Sequence, residues 1–103
     1  MEIDAIKEAV RQNSIEWRKH ALQRMLERDI SRENIKKIIL EGDIIKSYPG
    51  DKPYKSYLIH KKIGNRHLHL VVAFDEVNNK VYIITTYEPS LDMFDINFTK
   101  RRR

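Results

Sequence analysis

Apolar residues recur at two spacings along the chain, and the spacing changes near residue 42. Ile3, Ile6 and Val10, with Ala9 beside Val10, repeat at helical intervals and predict a helix over about residues 3–12. Asn13-Ser14 interrupts it, and Ser14 suits the N-cap of a following helix. Trp17, Ala21, Leu22, Met25 and Leu26 fall within about half the circumference of a second helix over about residues 15–28, ended by Asp29. A third helix begins at Ser31. Ile30 before this N-cap and Ile35 four residues beyond it make a hydrophobic staple, and Ile38 and Ile39 extend the apolar face. Gly42 fits the left-handed position that closes a helix.

After Gly42 the pattern alternates. Four strands are predicted, at about 44–48, 54–62, 66–74 and 81–87, separated by Pro49-Gly50-Asp51-Lys52-Pro53, Gly64-Asn65 and Asn78-Asn79. Pro89 stops the last, and residues 90–98 show no clear period. Helices followed by strands predict an α+β fold, with N-terminal helices packed on one face of a four-stranded antiparallel sheet. Leu68, Leu70, Val72 and Phe74 are the more apolar face of their strand and should meet the helices. His67, His69, Val71 and Ala73 should lie on a partly open face. The expected organisation is one domain over 1–103: helices about 3–42, sheet about 43–88, and an arm 89–103 with a basic tail.

Composition narrows the setting. The chain has 103 residues and no cysteine, which suits one small domain without disulfides or thiolate chemistry. No apolar run is long enough to span a bilayer, and the acidic N-terminal stretch lacks an apolar signal region, so a cytoplasmic location is expected. The net charge is +5, but setting aside Lys100 to Arg103 leaves about one positive charge. The basic balance is therefore a mild hint of an anionic partner.

Candidate chemistry lies in "WRKHALQRMLERDIS", residues 17–31. On a helical wheel with Trp17 at zero, Arg24 and Arg28 fall within about 20° of it and His20 about 60° away, beside Arg24. These basic groups thus border the predicted buried stripe. One reading is structural: long side chains lay their methylenes on the core rim and keep their charge wet. The other places a histidine proton carrier beside a phosphate-gripping guanidinium. That pairing suits RNA cleavage without a metal. His67 and His69 form H-x-H on one strand, with His60 on its neighbour, but no carboxylate or cysteine stands at a familiar ligand spacing. No metal or cofactor is expected. Tyr57 and Lys55 belong to an aromatic and basic stretch that fits nucleic acid, and "ITTYEP" places Thr86 and Tyr87 at a strand end.

The runs "HALQRMLERDISRENI", "YPGDKPYKSYLI" and "LHLVVAFDEVNNKVYIITTYEP" resemble domain of unknown function family 4258, over roughly His20 to Pro89. In order and composition the chain is also distantly similar to the RelE and BrnT toxins, small basic metal-independent ribonucleases of toxin–antitoxin systems. The resemblance implies an endoribonuclease with RNA as substrate and a cognate antitoxin-like protein as partner. On that resemblance His20, Arg24, His69 and Tyr87 would be catalytic and Arg28 and Thr86 would bind substrate, and the basic and aromatic stretch adds Lys55 and Tyr57 as substrate-binding candidates. The competing expectation is a non-catalytic module that binds nucleic acid or protein.

Overall fold

The structure is a computed structural model and describes residues 2–89. Its elements are α1 (Glu2–Arg11), β1 (Ile15–Trp17), α2 (Lys19–Glu27), α3 (Arg32–Glu41), β2 (Asp43–Tyr48), β3 (Lys55–Ile63), β4 (Arg66–Asp75) and β5 (Lys80–Tyr87). The expected arm 90–103 and its basic tail lie outside the described residues. The fold is α+β, as the change of spacing predicts. The sheet, however, has five strands in the order β1-β5-β4-β3-β2 and is mixed, because β1 runs parallel to β5.

β1 corrects the expected second helix. Ile15 to Trp17 pair with Val81 to Ile83 instead of opening a helix. Asn13, at φ 64, turns the chain out of α1. Ser14 is not a cap: its hydroxyl donates to the Asn79 carbonyl at 2.8 Å, and its own carbonyl accepts from Val81 N at 3.0 Å. These bonds to Asn79 and to β5 stabilise an extended backbone that no local pattern demands. The wheel drawn from Trp17 therefore does not apply, because Trp17 is a strand residue.

α3 follows its sequence closely. Ser31 Oγ accepts from Asn34 N, and Asn34 Oδ1 accepts from Ser31 N, both at 3.0 Å, which satisfies two otherwise orphaned donors. Gly42 ends α3, but in extended backbone at φ −81, not in the left-handed region. Glycine is needed there for closeness. A Cβ would lie inside van der Waals contact of the Ile38 carbonyl oxygen and 2.6 Å from that of His60. Gly64 is the true left-handed glycine, at φ 60 in the two-residue turn between β3 and β4.

The core lies between the helices and one sheet face. Ile6, Ile35, Ile38 and Ile39 from the helices are fully buried with Ile59, Leu70, Val72, Val81 and Ile83 from the sheet. Each such side chain contributes about 1.5–3 kcal/mol by leaving water. Leu68, Leu70, Val72 and Phe74 form the helix side, as their alternation predicts.

Two bulges re-aim side chains on the other face. In β5, Val71 pairs with Thr85 and Val72 with Ile83, so Ile84 is the extra residue. Tyr82 and Tyr87 are an odd number of positions apart and would face oppositely on a regular strand. The bulge brings both to the face that no helix covers among the described residues, here called the helix-free face, opposite Ala73 and His69. In β2 the extra residue is Ile45, which sends Ile44 to the core and Lys46 to the helix-free face. Contrary to the partly open face expected from the sequence, His69 is 0% exposed.

Candidate functional site

The helix-free face gathers three of the four histidines. The turn at Gly64-Asn65 pairs Ile63 with Arg66, and counting back along the hairpin sets Lys62 opposite His67 and His60 opposite His69. On the other side of β4, His69 faces Tyr87. Side chains directly opposite across strands share a face. His60, His69 and Tyr87 therefore form a row across β3, β4 and β5, with His67 one alternation away from His69.

The rings are in contact. His60 and His67 stack at 5.1 Å between centroids and 16° between planes, and His60 Nε2 lies 2.9 Å from His67 Nδ1 in a hydrogen bond. His69 stands edge-on to His60 at 5.7 Å and to Tyr87 at 5.4 Å. Exposure is graded across the group: His69 and His60 are buried, while His67 and Tyr87 are half-buried. In an imidazole pair joined by one hydrogen bond, one nitrogen donates and the other accepts, so protonation of one ring is linked to the tautomer of the other. Among the described residues no group of three or more His, Asp or Glu is arranged to hold a metal ion.

A hydrogen-bonded chain joins this face to the helix side. Thr86 Oγ1 donates to the His69 carbonyl at 2.7 Å, and Arg28 Nη1 donates to the Thr86 carbonyl at 2.8 Å. Arg66 in turn donates to the Arg28 and Asp29 carbonyls, at 2.6 and 2.7 Å, and pairs with Glu88. Asp29, at φ 53, ends the α2 segment where Arg66 grips it.

The residues expected to be catalytic thus fall into two places. His69 and Tyr87 meet on the helix-free face. His20 and Arg24 belong to α2, whose Ala21 and Met25 pack into the core on the opposite side of the sheet. His20 is exposed, and Arg24 pairs with Glu27 at 2.8 Å. Of the residues expected to bind substrate, Arg28 and Thr86 are engaged with backbone carbonyls. Tyr57 is buried in the helix-side core. Lys55 pairs with Glu2 at 3.6 Å and Glu76 at 3.3 Å, and these carboxylates hold its ammonium pKa above the usual value. It stands five positions along β3 from His60, about 16 Å away. His60 and His67 were the members missed as site residues. The signal for them was present, since a two-residue turn fixes the pairing of every later position in the hairpin.

A second aromatic group lies further along the same face. Tyr54 stacks on Tyr82 at 5.3 Å and 9°, and the Arg18 guanidinium carbon lies 4.9 Å from the Tyr82 centroid. A hydrogen bond with Tyr82, together with some burial and the nearby Asp75 charge, raises the Tyr54 phenol above its ordinary pKa. Asp75 sits at the β4–β5 turn. The Asn78 side-chain amide, then the Asn78 backbone N–H, hold its carboxyl below the usual range, and Val77 N also donates to it.

Among the described residues no helix is long and apolar enough to cross a membrane. Comparison with curated proteins and with solved structures gives no match. The sequence model of one family matches residues 17–88, from β1 to just past β5, a span that contains the histidine group and the Arg28–Thr86 chain. The chain belongs to that family, described as Domain of unknown function (DUF4258).

Proposed function

We propose that the helix-free face around His67 cleaves RNA phosphodiester bonds without a metal, as an endoribonuclease of toxin–antitoxin type. The supporting observation is the contact set His60–His67–His69–Tyr87, three imidazoles and a phenol on one face. Imidazole exchanges protons near neutral pH. In such a cleavage one group takes the proton of the 2′-hydroxyl as its oxygen bonds to phosphorus. Another gives a proton to the 5′-oxygen as its bond to phosphorus breaks, leaving a 2′,3′-cyclic phosphate. His67, the half-buried histidine, is the member placed to meet substrate, and His60 fixes its ring through the shared hydrogen bond. Lys62, opposite His67, supplies positive charge for the phosphate. His20 and Arg24 take no part in proton transfer on this reading.

The test is incubation of the purified chain with single-stranded RNA in the presence of chelator. Cleavage to 2′,3′-cyclic ends is expected for the wild type and for His20→Ala, and is lost in His67→Ala. An inactive wild type, or a His67→Ala variant as active as it, refutes the proposal. The toxin reading also includes a cognate antitoxin-like protein, whose co-expression would protect cellular RNA.

The complete burial of His69 favours a second reading, in which the face binds nucleic acid or protein and performs no chemistry. It predicts RNA binding that weakens steeply with salt and yields no cleavage products.

A further inference from the structure

We infer that Arg18 and Tyr82 form a stacking subsite for a nucleobase of single-stranded RNA. The inference rests on the reading of the helix-free face as an RNA surface and adds where on it a base is held. Tyr82 is opposite Ala73, four positions along β4 from His69, so the subsite lies about 13 Å from the histidine row on the same face. It is the Ile84 bulge that puts Tyr82 and Tyr87 on one face, and bulges commonly re-aim side chains beside functional sites.

The local arrangement suits a base. Tyr54 lies parallel to Tyr82 and backs one side of its ring, and Arg18 lies over that ring. Arg18 is exposed, makes no side-chain cap at the start of α2, and has no carboxylate partner among the described residues. Glu16, opposite Tyr82 on β1, is 3.9 Å from Lys80. A planar guanidinium held against an aromatic ring offers its outer surface for stacking on a base. The other arginine–aromatic pair at this sheet edge is Arg32 over Trp17 at 5.2 Å. Trp17 packs against the core of the opposite face, so Arg32 serves as a matched control.

The experiment measures fluorescence anisotropy of a short labelled poly(A) RNA with the full chain. Arg18→Ala and Tyr82→Leu are each expected to raise Kd about tenfold, the scale of one lost base stack, with unchanged circular dichroism. Arg18→Lys keeps the charge but not the plane and should retain most of that loss. Arg32→Ala should bind like the wild type. An abasic strand of the same length should bind the wild type and Arg18→Ala alike. Unchanged affinity in Arg18→Ala, full recovery in Arg18→Lys, or an equal loss with abasic RNA overturns the subsite. If the wild type still cleaves RNA in that case, the subsite fails alone. A wild type that binds no RNA overturns both proposals.

Discussion

The hydroxyl of Thr86 donates to the carbonyl of His69 at 2.7 Å, and Thr86 is fully buried. The bond crosses between strands outside the regular ladder and ties the end of β5 to the residue at the centre of the histidine row. Thr86→Val preserves shape and removes only the donor. A loss of about 1–2 kcal/mol is expected from urea denaturation, with the denaturant slope unchanged. An unaltered midpoint would show that the His69 carbonyl gains nothing from this bond.

Arg66 is expected to matter through the α2 carbonyls more than through its acid. It donates to the Arg28 and Asp29 carbonyls, and its pair with Glu88 is largely exposed. Arg66→Ala should cost about 1–2 kcal/mol, while Glu88→Ala should cost under about 1 kcal/mol, since exposed ion pairs contribute little. Thermal unfolding of the two variants at one salt concentration decides the order. Equal effects would mean the ion pair carries the interaction.

Two glycines outside the left-handed region separate closeness from conformation. A Cβ at Gly42 meets two backbone oxygens under 3 Å, whereas at Gly50 it meets nothing within 4 Å. Gly42→Ala should destabilise by about 2–4 kcal/mol, because α3 and β3 must part to admit a methyl group. Gly50→Ala should change stability by less than about 0.5 kcal/mol. Chemical denaturation of both variants checks the contrast; a mild Gly42→Ala would mean the helix end slides freely over β3.

Asp75 links stability to acid. Its folded pKa is held down by the Asn78 amide and the turn N–H groups. A depressed carboxyl stabilises the fold above its unfolded pKa, near 4, and that contribution disappears as pH falls through the folded value. The melting temperature of the wild type should therefore exceed that of Asp75→Ala at neutral pH, and the two should converge below pH 4. A gap that persists unchanged into acid would contradict the linkage.

Much of the helix side was legible from local pattern. Ile35, Ile38 and Ile39 specify one face of α3, and the alternation through Leu68 to Phe74 chooses the buried side of β4. Ile15-Glu16-Trp17 was not legible, because three residues fit a strand and a helix start equally well. Only the bonds to β5 decide between them. The bulges at Ile45 and Ile84 were also hidden, since each lies in a run where either neighbour can face inward. A wheel anchored on Trp17 sets His20 and Arg24 beside the buried stripe, but Trp17 is a strand residue. The histidine row was available instead from simple counting outward from Gly64-Asn65.

Parallel pairing of β1 with β5 also sets an order of events as the chain emerges from the ribosome. The meander from β2 to β5 assembles through neighbouring hairpins, which close early because their loops are short. The segment at 15–17 has no strand to join until residues 81–83 have been made. During synthesis the edge at 15–17 waits unpaired, and Ile6, Ala9 and Val10 of α1 have α3 but not yet β5 to pack against. Completion of the last hairpin thus finishes the shielding of the α1 apolar surface, and a pause in translation before residue 81 prolongs its partial exposure.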